Sequence, residues 1–295
     1  MKDIKLTGCG TALITPFRNG EVDYEAFAAL VDRQVAGGID FLVPLGTTGE
    51  TPCLENDERI KVLEAAKEHS GGLPILAGGG TNSLQHTIRS MQMLDPYGVD
   101  AFLIVVPYYN KPTQEGQYQY FKAVAEATQK PIVLYNVPGR TGVNMTAETT
   151  LRLAHATDKI VAVKEASGDI EQMQRIIDGK PENFLVISGD DGITVELIKR
   201  GGVGVISVAA NAFPETFCHC IHKAMDGDIE SAEKQMAEQF TEPLTLIFRE
   251  GNPTSIKVMT EAMGLTRRDV RLPLVEGSEA LVADIKSAIE RYDLK

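Results

Sequence analysis

Apolar residues along the chain gather in short runs separated by longer stretches in which hydrophobic and polar positions alternate with a helical period. The runs are "TALITPF" at 11, "DFLVPLG" at 40, "PILAGG" at 74, "AFLIVVPYY" at 101, "PIVLYNVP" at 131, "IVAVKEAS" at 160, "FLVISGD" at 184 and "GVGVISVAAN" at 202. Several are continuously apolar, the pattern of parallel strands covered on both sides. The intervening stretches include "NDERIKVLEAAKEHS", where Ile60, Leu63, Ala66 and Lys67 share one side of a 3.6-residue helix. Eight strand-then-helix units predict an α/β fold, a (β/α)8 TIM barrel. An open doubly wound sheet is the competitor, but no run is followed by a GxGxxG turn, and "AGGGTN" has the wrong spacing.

The rhythm changes near residue 223. Helical patterns such as "IESAEKQMAEQFTEPLTLIF" and "SEALVADIKSAIERYDL" follow, with Asn252, Pro253 and Thr254 between them as a helix start. The expected organisation is a catalytic barrel over 1–224 and a C-terminal helical extension over 225–295.

Charge narrows the function. The formal net charge of -12 opposes binding to nucleic acid or to an anionic membrane, since both require a basic face. No apolar run approaches a membrane span, and "MKDIKLTGCG" lacks the apolar core of a leader, so a cytoplasmic protein acting on small molecules is expected. Four cysteines (Cys9, Cys53, Cys218, Cys220) are too few and too irregular for a disulfide framework.

In a barrel the working residues lie at the C-terminal strand ends. There the chain offers "GTTGET", "VPYYNKP", "LYNVPGRTG", "VKEASGD", "SGDDG" and "SVAAN". Alternation along "IVAVKEAS" places Ala162 and Lys164 toward the lumen and Val161 and Val163 toward the helices. Apolar walls penalise an ammonium and favour the neutral amine, a nucleophile toward carbonyls. The alternative is a lysine that snorkels to the mouth or pairs with Asp190 or Asp191. Companions favour chemistry: Thr47 and Thr48 supply hydroxyls and closely spaced N–H groups suited to an anion, and Tyr135 ends the neighbouring strand within reach of the amine. Either could instead be structural, as a turn or an interior aromatic.

"GTTGE" with Glu58 downstream, "YNVPGRTG" and the lysine of "VAVKEAS" together resemble the pyruvate-dependent class I aldolase superfamily, over essentially the whole chain. Within it, Arg140 after the Tyr-Asn-x-Pro motif is similar to the dihydrodipicolinate synthase family, and sialic acid lyases typically lack that arginine. The resemblance implies that Lys164 forms an imine with pyruvate and that Tyr135 relays protons through Thr48 and Tyr109. It also implies that Thr47 and Thr48 hold the pyruvate carboxylate, and that Arg140 binds the carboxylate of aspartate semialdehyde. Gly189 and Ile206 match positions lining the pocket. Tyr109 is expected to enter a neighbouring subunit's site, in a homotetramer built as a dimer of dimers, and no cofactor or metal is required. A sialic acid or 2-keto-3-deoxy sugar acid lyase is the enzymatic alternative, with Arg140 as the discriminating residue, and a non-catalytic keto-acid-binding barrel is a third possibility.

The family's feedback site for lysine matches in part. Thr51, Pro52, Asn82 and Tyr108 agree with it, whereas His86 stands where an acidic residue usually receives the effector's ammonium, and Asn56 and Arg59 replace histidines. Weak or absent lysine inhibition is expected, because a charge-assisted contact is lost. Two further signals are read as structural. "FCHCIHKAM" puts Cys218 and His222 on one helical face without a second pair of zinc ligands, and Asp190-Asp191 suits the opening of a helix.

Overall fold

A computed structural model describes residues 4–292. Eight parallel strands are expected and eight form: β1 (Gly8–Ala12), β2 (Phe41–Val43), β3 (Leu76–Gly78), β4 (Ala101–Val105), β5 (Ile132–Asn136), β6 (Ile160–Glu165), β7 (Leu185–Ser188) and β8 (Gly204–Ser207). Their order is β2-β1-β8-β7-β6-β5-β4-β3. A parallel bridge from Leu42 to Ile75 joins the two ends and closes the barrel. Helices α1 (Tyr24–Ala36), α2 (Asn56–His69), α3 (Leu84–Leu94), α4 (Gln114–Glu126), α5 (Ala147–Ala156), α6 (Ile170–Gly179), α7 (Thr194–Lys199) and α8 (Pro214–Met225) form the outer ring. No described helix is long and apolar enough to cross a membrane.

Helix starts follow local chemistry. Asp23, Ser83, Thr113, Thr146 and Asp169 each accept an N–H of the first turn, and Glu55 forms a reciprocal box with Glu58. In α2 the buried stripe is Val62, Leu63 and Ala66; Lys67 is exposed, so its place on the apolar face is corrected.

Two local departures have steric causes. β1 begins three residues before the apolar run that marks it, at glycines a pattern of side chains cannot flag. A Cβ on Gly10 would lie 2.2 Å from the Phe41 ring, so only glycine lets this bulky side chain fill the lumen there. In β6, Ile160 pairs with Ile132 but Ala162 pairs with Val133, a bulge at Val161. Val161 therefore packs against the lumenal cluster, not the helices, while Ala162 is lumenal and Val163 faces the helix layer. A small antiparallel hairpin, Phe17–Arg18 with Glu21–Val22, was not anticipated.

Beyond α8, α9 (Ile229–Gln235) runs through a π-helical turn (Met236–Phe240) into α10 (Thr241–Phe248). Then come α11 (Thr254–Ala262) and α12 (Glu279–Tyr292). The expected helix start at 252–254 is thus met, with Pro253 at the N-cap. Its apolar residues Ile256, Val258 and Met259 are buried.

Candidate active site at the C-terminal mouth of the barrel

The lumen is packed by side chains such as Phe41, Val43, Leu103, Val133, Ala162 and Ile187, and the same cluster includes Tyr135 and Ile206. Lys164 enters this apolar setting with 6% of its surface exposed, and its Nζ sits 4.3 Å from the centroid of the Tyr135 ring, itself 7% exposed. The two residues are direct partners between β5 and β6. The alternative pairing with the aspartate doublet is not adopted. Asp190 accepts the Gly192 N–H at 2.8 Å, and buried Asp191 accepts those of Val208 and Ala209, both at 3.0 Å. Burial pushes the Asp191 carboxyl up to about 6, against the opposing pull of its hydrogen bonds. Both acids therefore serve the loops after β7 and β8.

Gly189 follows β7 and packs directly behind the amine. A Cβ there would meet Ala166 Cβ at 2.6 Å and Lys164 Cε at 3.0 Å. Glu165 points the other way from Lys164, with both oxygens held by Asn136 Nδ2 at 3.0–3.1 Å, and with donors from Gln172 and the Ser167 backbone. Burial raises its carboxyl despite those donors. Asn136 belongs to the same "YNVP" segment as Tyr135, so this network locks β5 to β6 immediately outside the pair.

After β2 the chain turns through Thr47–Gly49 with Leu45 and Glu50 at positive φ, 59° and 53°. Gly78 makes the turn possible, since a Cβ there would lie 1.8 Å from the Leu45 carbonyl oxygen. Thr48 is buried and its Oγ1 accepts from Asn252 Nδ2 at 2.9 Å. The carbonyl of the same Asn252 accepts from Arg140 Nη2 at 3.1 Å. Asn252 thus joins the β2 turn to the arginine across the mouth. Nothing in the local pattern signals this, because the contact spans 204 residues.

Glu50 was also missed. Its carboxylate is buried with the Lys257 ammonium of α11, both side chains 0% exposed, and it accepts the Arg271 N–H at 3.0 Å. Burial pulls the Lys257 amine down to about 8, with Glu50 opposing. Arg271 then grips Glu58 with two bonds of 2.6 Å, which holds that carboxyl below its usual range. The C-terminal segment is therefore wired to the "GTTGE" turn.

A cavity of about 390 Å³ opens over these residues, lined by Thr47, Tyr135 and Arg140 and, on one flank, by Thr51, Pro52 and Tyr108. Arg59 also lines it and donates to Ser90. Asn82 donates to the Tyr108 carbonyl at 3.3 Å, and His86 is exposed in the first turn of α3. Tyr109 departs from the cluster: it is 87% exposed, at a positive φ of 74°, and does not line the cavity of its own chain.

Known proteins share this fold and much of this sequence. The profile of the dihydrodipicolinate synthetase family matches residues 5–292. A 4-hydroxy-tetrahydrodipicolinate synthase from Parabacteroides distasonis is 50% identical, covering 100% of both chains. The crystal structure of dihydrodipicolinate synthase from Thermotoga maritima superposes with a TM-score of 0.96 at 38% identity, covering 98% of this chain and 99% of the other. A chloride-inhibited dihydrodipicolinate synthase from Acinetobacter baumannii, solved with pyruvate, superposes at 0.95 with 35% identity and covers 99% and 100%. With the match running through strands, mouth and C-terminal helices alike, the chain belongs to the dihydrodipicolinate synthetase family.

Proposed function

We propose that this enzyme condenses pyruvate with L-aspartate 4-semialdehyde to give 4-hydroxy-tetrahydrodipicolinate, the entry to lysine and diaminopimelate synthesis, through an imine on Lys164. The observation that carries the reading is Lys164 itself, nearly buried among apolar side chains, beside the Tyr135 ring and paired with no carboxylate of the described residues.

The Lys164 amine attacks the C2 carbonyl of pyruvate, and water leaves once the carbinolamine oxygen is protonated. The iminium is an electron sink, so the methyl group loses a proton and the resulting enamine attacks the aldehyde carbon of the second substrate. The semialdehyde's own amino group then adds to the iminium carbon and expels Lys164, closing the ring. Tyr135 is placed to carry protons in these steps, and the Thr47–Thr48 turn to hold the pyruvate carboxylate. Gly189 and Ile206 do not line the cavity itself: Gly189 packs against the Lys164 side chain, and Ile206 belongs to the lumenal cluster that includes Tyr135. Arg140, at the rim, receives the carboxylate of the semialdehyde, and its tether to Asn252 fixes one edge of its guanidinium. Tyr109 projects from the chain and would complete the Thr48–Tyr135 proton path of a neighbouring subunit, in a homotetramer. No cofactor enters these steps.

Borohydride reduction with pyruvate should leave a stable adduct on the peptide containing Lys164 and none in Lys164→Ala. An adduct elsewhere sinks the mechanism. Arg140→Ala should raise KM for aspartate semialdehyde by about 10- to 100-fold, as loss of a charge-assisted contact of roughly 1.5–3 kcal/mol requires, with pyruvate trapping retained. An unchanged KM, or preference for a sugar aldehyde, would reassign the second substrate.

A further inference from the structure

At the opposite, N-terminal rim of the barrel three metal-ligating side chains converge from two distant parts of the chain. Cys218 and His222 lie one turn apart on α8, and Asp40 is the residue before β2. One ligand atom from each falls within 4.8 Å of the others. The sequence shows only the helical pair; the fold brings Asp40 to it across 182 residues, with its Oδ2 2.7 Å from His222 Nε2. Cys218 Sγ lies 3.6 Å from the same nitrogen.

These distances can be set against a tetrahedral zinc centre. With Zn–S of about 2.3 Å and Zn–N or Zn–O of about 2.0–2.1 Å, a sulfur and a nitrogen ligand stand about 3.6 Å apart, and a nitrogen and an oxygen about 3.4 Å. The Cys218–His222 pair already has the required separation. The His222–Asp40 pair would open by about 0.7 Å, as expected when an ion replaces a shared proton. His222 has room to move, since 42% of its side chain is exposed.

The surroundings hold the carboxylate in place. Asp40 Oδ2 accepts the Cys9 N–H at 2.8 Å, the type of outer contact that orients a ligand. Gly8 leaves the space it fills, because a Cβ there would lie 2.0 Å from that same oxygen. Of the neighbouring cations, Lys5 reaches only Asp40 Oδ1, at 3.9 Å, and leaves Oδ2 to the cluster. Cys218 donates to the Gly38 carbonyl at 2.9 Å, a bond given up when the thiol is deprotonated.

We propose that Cys218, His222 and Asp40 bind one zinc ion per chain, with water as the fourth ligand on the exposed side. One sulfur, one imidazole and one carboxylate suit zinc or cobalt and not magnesium or calcium. Binding transfers the Cys218 thiol proton to solvent, and any proton shared between His222 and Asp40 leaves with it. The ion would staple α8 to the segment entering β2, far from the catalytic mouth.

The test is calorimetric titration of the chelator-treated full chain with zinc chloride, in a Cys53→Ser background that removes the one cysteine that is not buried. One equivalent should bind, and cobalt should give a thiolate charge-transfer band that Cys218→Ser abolishes. Cys218→Ser and His222→Gln should each weaken binding by about 100-fold or more, since loss of a ligand exceeds the roughly 10- to 100-fold typical of outer contacts. His219→Gln should leave it unchanged. Absence of saturable binding, or binding unaltered by His222→Gln, would overturn the assignment. His222→Gln decides alone if Cys218→Ser does not fold.

Discussion

Lys257→Met tests whether the C-terminal helices support the catalytic turn. The substitution removes an ammonium whose side chain and that of its partner Glu50 are both 0% exposed. Glu50 would keep only the Arg271 N–H, at 3.0 Å, as compensation for a buried charge. Removing one member of a buried pair costs about 3–5 kcal/mol, a large part of the roughly 5–15 kcal/mol that holds a typical domain folded. Glu50→Gln/Lys257→Met removes both charges while the Gln carbonyl still accepts from Arg271, so much of the loss should return. Urea unfolding of the parent, both single variants and the double variant, at one protein concentration, measures this. The double variant should be less destabilised than the sum of the singles by about 2 kcal/mol or more. Since Glu50 ends the Thr47–Gly49 turn at positive φ, kcat/KM should fall with Lys257→Met and recover in part in the double. Additive stabilities, or a cost below about 1 kcal/mol for Lys257→Met, would refute the argument, because such values belong to exposed pairs.

Gly189→Ala should lower kcat by up to about 100-fold, since separating the new Cβ from Ala166 requires a shift near 1 Å beside Lys164, and misplacement of that size has such consequences. The fold should survive with about 1–3 kcal/mol of overpacking cost, and a variant with parental kcat and pyruvate trapping would refute the close packing. Asp191 gives a pH signature. Its folded carboxyl titrates at about 6, above the roughly 3.9 of an unfolded chain. The native state therefore binds the extra proton between these values, so this group's contribution is present below about pH 4 and lost as pH rises through 6. The loss is on the order of 3 kcal/mol. Asp191→Asn, whose Oδ1 can still accept from Val208 and Ala209, should flatten that part of the stability profile, and an unchanged profile would contradict it.

The chain by itself determined the eight-strand rhythm, because parallel strands covered on both faces must be apolar and short while their helices must carry one apolar stripe. It also determined the lumenal address of Lys164 and its neighbour Tyr135, since side-chain alternation is a local property of a strand. Local pattern misled where backbone sterics intervene, as at Val161, whose bulge reverses its side, and at β1, where glycines make way for Phe41. What only the tertiary structure decided are contacts between residues distant in the chain. Asn252 bridging Thr48 and Arg140, Lys257 beneath Glu50, and Asp40 beside Cys218 and His222 are each set by closure of the barrel and docking of helices. Tyr109, 87% exposed at a positive φ, is turned away from the cavity by the loop after β4, which the strand pattern does not describe. Periodicity reports which face a residue takes, whereas the identity of what it meets there is fixed by packing.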